Sequence, residues 1–408
     1  MVLCVRKKEV FNLQRQVGTV ARGIRCPIIR KDDDLVEIVV SSIMEASKTH
    51  QYEIMDHDVI GVTESILARA QGNYVDLDTI VKDIQNKLTD ETIAVVFPIL
   101  SRNRFSSILQ AIARAAKKVV LVLKYPSDEV GNPLIELDKL DASGINPYRD
   151  TLTLEAFRAH FGESRHPFTN MDYVSFYQDI IEKENAECEI IFSNQPEVVI
   201  EYSDHIITAD IHTYKRTQRI LKDANAKHVI GLSDIMNEPI GREGYNTQYG
   251  LLGANLASDE TIKLFPRDGE TFVHAVQKRI YELTEKQVEV MVYGDGAFKD
   301  PVGKIWELAD PTVAPFYTTG LEGTPNEIKL KYLADNQYQS LNAEALKKAI
   351  QRDIQNKKHQ QDEANRQGTT PRRLIDLIGS LCDLTSGSGD KGTPIVHIQG
   401  YFDSYSQD

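Results

Sequence analysis

The chain has 408 residues, of which 41% are hydrophobic and 26% charged, a composition typical of a folded globular protein. At roughly one domain per 150 residues, this length predicts two domains or one domain with a large insertion. Asp and Glu number 60 against 47 Lys and Arg, so the formal charge is −13. This balance argues against nucleic acid or an anionic membrane as a partner, although it permits binding of an anionic nucleotide through a divalent metal.

The sequence favours a cytoplasmic protein. Its apolar runs are shorter than the roughly 20 residues of a membrane helix, and its charged start lacks the apolar core of a signal peptide. Cys4, Cys26, Cys188 and Cys382 are far apart and form no CxxC pair. This spacing predicts reduced thiols and argues against a zinc site.

Strand-length apolar runs alternate with helical patterns, which predicts an α/β protein. In chain order, we predict a helix over 34–46, strands over 58–63 and 92–97, a helix over 104–116, a strand over 119–123, a helix over 171–182, a strand over 189–192, a helix over 214–225, strands over 228–232 and 288–293, helices over 342–368 and 372–381, and a strand over 394–401. Residues 98–240 carry their own alternation. We interpret them as an inserted α/β lobe with a separate core.

A glycine-rich loop follows the last predicted helix. Gly387, Gly389 and Gly392 formally spell GxGxxG, but a helix precedes them and a strand follows, the reverse of a dinucleotide fingerprint. The backbone N–H groups of such a loop, with Ser388 and Lys391, can still bind phosphate. A solvent-exposed turn is the alternative interpretation.

Two aspartates are candidate metal ligands. Asp295 follows the strand over 288–293, and the carboxyl ends of strands often hold metal-binding or catalytic groups in α/β proteins. Carboxylates suit Mg²⁺ or Mn²⁺. Asp259 ends a stretch of small and apolar residues and can supply a second carboxylate. The alternatives are that Asp295 starts a turn with Gly296 and that Asp259 caps a helix beginning at Glu260.

Arg69 is a candidate phosphate ligand, because it lies between a predicted strand and a glycine. A solvated helix residue is the alternative. The sequence contains no HExxH zinc motif and no GxSxG elbow, so neither histidine-based zinc chemistry nor a serine hydrolase is supported.

Several separate segments together resemble the coenzyme F-420-0:L-glutamate ligase (gamma-glutamyl ligase) family. They are GIRCPII at 23–29 with DDL at 33–35, HDVIGVTESILARAQG at 57–72, YGLLGANLASD at 249–259, the loop from Asp295 to Trp306, and SLCDLTSGSGDKGTPIVHIQG at 380–400. The middle of the chain is longer than this family leads us to expect. The resemblance implies a mixed-sheet ligase-like core over 1–97 and 241–408, with 98–240 as an inserted lobe that selects the acceptor.

The resemblance also implies an activity and a site. Members join L-glutamate to a phosphate-bearing deazaflavin precursor using GTP, and they form homodimers. By this resemblance Asp259 and Asp295 bind Mg²⁺ or Mn²⁺, and Lys391 assists catalysis beside them. The residues implied for the nucleotide are Pro27, Ile28, Ile29, Glu64, Ser65, Arg69, Gly387, Ser388, Gly389, Gly392 and Thr393.

Some positions differ from the family pattern. Gly296 stands where members have Thr, Arg69 replaces a Lys, and Ile262 lies near the place of an Asn. From the resemblance as a whole, we expect a GTP- or ATP-dependent ligase that joins L-glutamate to a small carboxylate- or phosphate-bearing acceptor through an acyl phosphate. The alternative is a non-catalytic homologue that binds a nucleotide or metabolite.

Overall fold

The computed structural model describes residues 17–166, 169–294, 298–299, 306–307, 314–325, 329–356, 373–387 and 389–403. The strands of these residues are β1 (Val20–Ile24), β2 (Val59–Thr63), β3 (Tyr74–Asp76), β4 (Thr92–Val96), β5 (Lys118–Leu123), β6 (Leu152–Thr153), β7 (Glu187–Phe192), β8 (His205–Thr208), β9 (His228–Gly231), β10 (Asn255–Ser258), β11 (Thr261–Lys263), β12 (Glu289–Tyr293), β13 (Phe298–Lys299), β14 (Trp306–Glu307), β15 (Phe316–Tyr317) and β16 (Ile395–Gln399). The helices are α1 (Leu35–His50), α2 (Glu64–Ala70), α3 (Leu77–Lys87), α4 (Ser106–Ala115), α5 (Leu137–Ser143), α6 (Leu154–Phe161), α7 (Tyr173–Lys183), α8 (Tyr214–Asp223), α9 (Gly269–Thr284), α10 (Leu330–Tyr332), α11 (Ala343–Gln355) and α12 (Leu374–Ser386).

A five-stranded mixed sheet has the order β1-β16-β2-β12-β15. Its central strand β2 runs parallel to β12 and antiparallel to β16. Helices α1 and α9 cover one face of this sheet and α12 covers the other. Because both faces are buried, β2 is apolar at successive positions rather than at alternate ones.

The close packing of α12 against β2 requires a glycine at position 61. A Cβ on Gly61 would collide with the sulfur of Cys382 on α12 and would lie 3.3 Å from the ring of Tyr293 on β12. Burial raises the pKa of the Cys382 thiol, so this cysteine is an inert core residue.

A six-stranded sheet has the order β6-β7-β5-β4-β8-β9, and its strands are parallel except for β6. From β4 the chain adds β5 and β7 on one side and then β8 and β9 on the other. This doubly wound arrangement places a topological switch point between β4 and β8. Helices α3, α4 and α7 pack on one face and α8 on the other.

A third, smaller sheet has the order β10-β11-β3. Ile262 of β11 and Val75 of β3 are buried in the same apolar core as α3 and α4. Arg114 of α4 contacts Glu184 and Glu260, each at 2.9 Å, which connects the hairpin of β10 and β11 to the six-stranded sheet. The position of this hairpin is therefore fixed by both apolar and ionic contacts.

The predicted α/β class is confirmed, and the predicted elements that lie in the described residues are present with shifted ends. For example, α1 ends at His50 rather than at 46, and α11 ends at Gln355. The rest of the helix predicted over 342–368, beyond residue 356, lies outside the described residues. The division of the chain at 97/98 and 240/241 stays a prediction. In the described part of the chain, no helix is long and apolar enough to span a membrane.

Candidate functional site

The loop 25–33, between β1 and α1, is held in a defined position. Asp34 caps α1 by accepting a hydrogen bond from the Glu37 N–H at 3.1 Å. Within the loop, the Arg30 N–H donates to Asp33 Oδ2 at 2.6 Å, and the Asp32 N–H donates to the Ala70 carbonyl at 2.8 Å. These contacts fasten the loop to the end of α2, and a cleft opens on each side of it.

We name the first cleft the α2 cleft. It has a volume of about 640 Å³ and is lined by Arg30, Lys31, Ser65, Arg69, Tyr74, Asn255, Leu256, Ala257 and Lys263. Lys263 is buried and donates to Glu64 Oε1 at 2.8 Å and to Ser65 Oγ at 3.0 Å, so Glu64 balances its charge. The other lining cations leave this cleft positive in a chain of net charge −13. Such a surface suits phosphate or carboxylate groups.

Arg69 connects the α2 cleft to the loop. Its Nε donates to the Ile29 carbonyl at 2.6 Å, which leaves the two terminal guanidinium nitrogens for other partners. A planar guanidinium held at Nε presents its remaining donors in a fixed direction. Arg69 can therefore both position the loop and bind an anion.

We name the second cleft the α1 cleft. It has a volume of about 1010 Å³ and is lined by Arg22, Gly23, Ile24, Arg25, Cys26, Pro27, Ser42, Glu45, Ala46, Thr49, His50, Tyr52, Lys391 and Thr393. Its wall combines the edge strand β1, the helix α1 and the loop after α12. Three permanent cations and one carboxylate line it, so it too favours an anionic ligand.

The glycine-rich loop brings Lys391 to the α1 cleft. Gly387 ends α12 with φ +62°, and Lys391 Nζ lies 2.6 Å from the position that a Cβ on Gly387 would take. Thr393 Oγ1 donates to the Ser386 carbonyl at 2.9 Å, and its Cβ lies 3.1 Å from the place of a Cβ on Gly23. The absence of a side chain at position 387 thus lets the lysine fold back over the loop.

The residues predicted for the nucleotide lie on both sides of the loop 25–33. Pro27 and Thr393 line the α1 cleft together with Lys391. Ser65 and Arg69 line the α2 cleft, and Glu64 forms the ion pair beneath it. Ile29 is buried between the clefts and Ile28 is 82% exposed. Gly387, Gly389 and Gly392 shape the loop of Lys391, whereas Ser388 lies outside the described residues.

Of the two predicted metal ligands, Asp295 lies outside the described residues, as does its neighbour Gly296. Asp259 is exposed in the turn between β10 and β11. The alternative that it caps a helix beginning at Glu260 is wrong, since the chain there forms a β-hairpin. Residues 255–257 of this hairpin line the α2 cleft, whereas Asp259 lies beyond them in the turn and is not among the lining residues. Among the described residues, no three His, Cys, Asp or Glu side chains are grouped to hold a metal.

A buried polar cluster beside the α1 cleft was not predicted. Asp58 and His397 are 1% and 0% exposed, and Asp58 Oδ2 lies 2.8 Å from His397 Nε2. Tyr52 stacks on the His397 ring with centroids 5.3 Å apart, and Arg22 Cζ lies 4.2 Å from the centre of the Tyr52 ring. Burial raises the pKa of the Tyr52 hydroxyl. The only signal in the sequence was one histidine within the apolar strand PIVHIQG.

The switch point of the six-stranded sheet holds a second polar cluster. Glu129 accepts hydrogen bonds from the backbone N–H groups of Ile211 and His212 and from Thr213 Oγ1 at 3.1 Å. Other doubly wound proteins bind ligand phosphates at N–H groups in this position. Here a carboxylate of the chain itself lies there, so we place the candidate site at the α1 and α2 clefts.

Comparison with known proteins agrees with the resemblance seen in the sequence. No curated protein matches this chain. The profile of the family described as F420-0:Gamma-glutamyl ligase matches residues 23–400, which include the six-stranded sheet and every lining residue of the two clefts except Arg22. The chain therefore belongs to the F420-0:Gamma-glutamyl ligase family, a family of ligases.

Proposed function

We propose that this protein is a nucleotide-dependent gamma-glutamyl or amide ligase that joins L-glutamate to a small carboxylate-bearing acceptor. The observation that carries the proposal is the pair of cationic clefts on either side of the loop 25–33, within a family match over residues 23–400. A chain of net charge −13 concentrates cations there, as a site for phosphate and carboxylate substrates requires.

The reaction needs an activated carboxylate. A carboxylate oxygen of the acceptor attacks the terminal phosphorus of GTP or ATP, the bond to the bridging oxygen breaks, and the nucleoside diphosphate leaves. The glutamate amine then attacks the acyl carbon, and inorganic phosphate leaves as the amide forms. Both steps move negative charge, so fixed cations near the phosphoryl group lower their barriers.

In this proposal Arg69, with Arg30 and Lys31, binds the phosphates in the α2 cleft, and Lys391 interacts with the transferring group from the side of the α1 cleft. Asp259 and Asp295 would hold Mg²⁺ or Mn²⁺, which neutralises phosphate charge when it is bound. A homodimer and a deazaflavin-type acceptor also belong to the proposal and rest on the family resemblance. A cytoplasmic location belongs to it as well and rests on the spacing of the cysteines in the sequence.

The test is release of inorganic phosphate from GTP or ATP with Mn²⁺ or Mg²⁺, measured with and without L-glutamate and a panel of carboxylate acceptors. We expect release that requires both glutamate and an acceptor. Arg69→Met should lower kcat/KM by about 30-fold, because a hydrogen bond to a charged group contributes roughly 1.5–3 kcal/mol.

Arg216→Met is the matched control, because Arg216 is exposed on α8, a helix that packs on the six-stranded sheet. It should leave turnover at the wild-type rate. Arg69→Lys separates charge from geometry: it keeps the charge but loses the bond from Nε to the Ile29 carbonyl, so intermediate activity is expected. Wild-type turnover in Arg69→Met would contradict the assigned role.

A non-catalytic nucleotide- or metabolite-binding protein is the second candidate. Ile262, which lies near the place of a family Asn, is 1% exposed in the core and offers no polar group to a substrate. Under this alternative, GTP with Mn²⁺ raises the melting temperature while no acceptor or amino acid elicits phosphate release. A glutamate-dependent release above the Arg69→Met background would eliminate it.

A further inference from the structure

Arg22 is one of the three permanent cations that line the α1 cleft. Arg22 lies on the edge strand β1 opposite His397 of β16, and its Nη2 donates to Gln399 Oε1 at 3.2 Å. Its Nη1 is buried and, among the described residues, has no hydrogen-bond partner. Among the described residues Arg22 takes part in no salt bridge, although the carboxylate of Glu45 also lines the cleft.

Tyr52 adds a second unused donor beside Arg22. The guanidinium lies over the Tyr52 ring, and the other contact of the ring is the stacked His397. The Tyr52 hydroxyl is buried and has no partner among the described groups. Since a buried hydroxyl without a hydrogen bond costs free energy, a purely structural role would be filled better by phenylalanine.

The carboxylate of Asp58, beside the His397 ring, is already engaged. Asp58 Oδ2 accepts from the Met55 N–H at 2.9 Å and contacts His397 Nε2 at 2.8 Å. This pair fixes the His397 ring, and the stacked ring in turn fixes Tyr52. The Asp58–His397 pair thus positions the cluster without neutralising Arg22.

We propose that Arg22 and Tyr52 form a subsite in the α1 cleft that binds an oxyanion of a ligand, a carboxylate or a phosphate, with His397 and Asp58 as positioning residues. As a subsite for a substrate, it rests on the proposed function. Arg22 and Tyr52 are half-buried and line the cleft, so rotation of their side chains presents Nη1 and the hydroxyl to the ligand. A guanidinium and a phenol are both donors and match a planar or tetrahedral oxyanion.

The decisive variant is Tyr52→Phe, because it keeps the ring and removes only the hydroxyl. Binding of three probes, L-glutamate, inorganic phosphate and GTP with Mg²⁺, is measured by titration calorimetry alongside the melting temperature. We expect an unchanged or higher melting temperature, since a buried unsatisfied group is removed, and about tenfold weaker binding of at least one probe.

The probe that weakens identifies the source of the oxyanion. Glutamate alone indicates the amino-acid carboxylate, whereas phosphate and GTP together indicate a phosphate subsite. Arg22→Met should weaken binding of the same probe by tenfold or more, and the surface variant Arg216→Met should not.

Two results would overturn the subsite. One is wild-type affinity of Tyr52→Phe for all three probes, and a lower melting temperature in that case would indicate a buried water that bridges the donors. The other is no binding of any probe by the wild-type protein. The subsite and the proposed function fail in different ways. If the protein shows glutamate-dependent turnover but Tyr52→Phe binds every probe normally, the subsite is wrong and the ligase proposal stands. If the protein shows no turnover but binding depends on Tyr52, the ligase proposal is wrong and the subsite stands.

Discussion

The two large sheets use their polar groups differently. At the carboxyl edge of the six-stranded sheet, Asp128 accepts hydrogen bonds from the N–H groups of Leu100, Val130 and Asn132 and from Asn132 Nδ2, at 2.8–3.0 Å. Beside the five-stranded sheet, cations such as Arg22 and Arg69 face open clefts. At the edge of the six-stranded sheet, the polar groups thus hold the loops of the chain together. Beside the five-stranded sheet, hydrogen-bond donors face the clefts.

This contrast indicates where function lies in a protein that has two α/β sheets. A doubly wound sheet would ordinarily direct attention to its switch point. Here that edge holds Glu129 on the backbone N–H groups of residues 211 and 212, an intramolecular contact. At the α1 and α2 clefts the lining cations outnumber the lining carboxylates, so anionic substrates are expected there.

The largest effect that tests this contrast is on stability. Asp128→Ala should lower the free energy of unfolding by about 3 kcal/mol, because four donors, two of them buried and two partly buried, lose their acceptor. Denaturant unfolding measures the change, with Asp141→Ala on the exposed side of α5 as the control. Nucleotide affinity of the folded variant should stay at the wild-type value. A large loss of affinity without a loss of stability would move the site to the six-stranded sheet.

A smaller effect is expected at the glycine-rich loop. Gly387→Ala places a side chain at φ +62° and against Lys391, so it should cost about 1 kcal/mol of stability and displace the lysine from the α1 cleft. Thermal unfolding and steady-state turnover together measure both consequences. Gly389→Ala is the matched control, since a Cβ there meets no atom within 4 Å. Equal melting temperatures and equal turnover in the two variants would show that Lys391 has no defined position.

The smallest effect concerns pH. Burial raises the pKa of Asp210, and Glu129 raises it further, while the Thr213 and Thr217 hydroxyls and Lys124 lower it. The folded protein therefore holds this proton more tightly than the unfolded chain does, and stability falls as pH rises from about 4 through the folded-state pKa. Asp210→Asn cannot ionise, so its stability relative to wild type should increase between pH 4 and pH 7. Unfolding curves at several pH values measure this, and a parallel pH dependence for both proteins would contradict it.

The sequence predicts the elements well because their signals are local. The helix at 35–50 has an Asp cap and an apolar face, and the strands of the six-stranded sheet are continuous apolar runs. The pairing of β1 with β16 is not local. Arg22 and His397 become neighbours only because the closing strand inserts between β1 and β2.

Residues of the candidate site could be predicted from the sequence only where they lie in a segment that resembles the family. Pro27, Ser65, Arg69 and Lys391 came from segments that resemble the family, and each lines one of the two clefts. Lys263 was not predicted, because its partner Glu64 lies 199 residues away. An isolated lysine has no periodicity or spacing to distinguish a buried ion pair from a solvated side chain.

The central claim is that the nucleotide binds at the α1 and α2 clefts. Its most direct test is a crystal structure with Mn²⁺ and a non-hydrolysable GTP analogue. We expect phosphate oxygens within hydrogen-bonding distance of Arg69 in the α2 cleft and an anomalous manganese signal at Asp259. A nucleotide bound instead at the carboxyl edge of the six-stranded sheet, beside Glu129 and Asp210, would contradict the account.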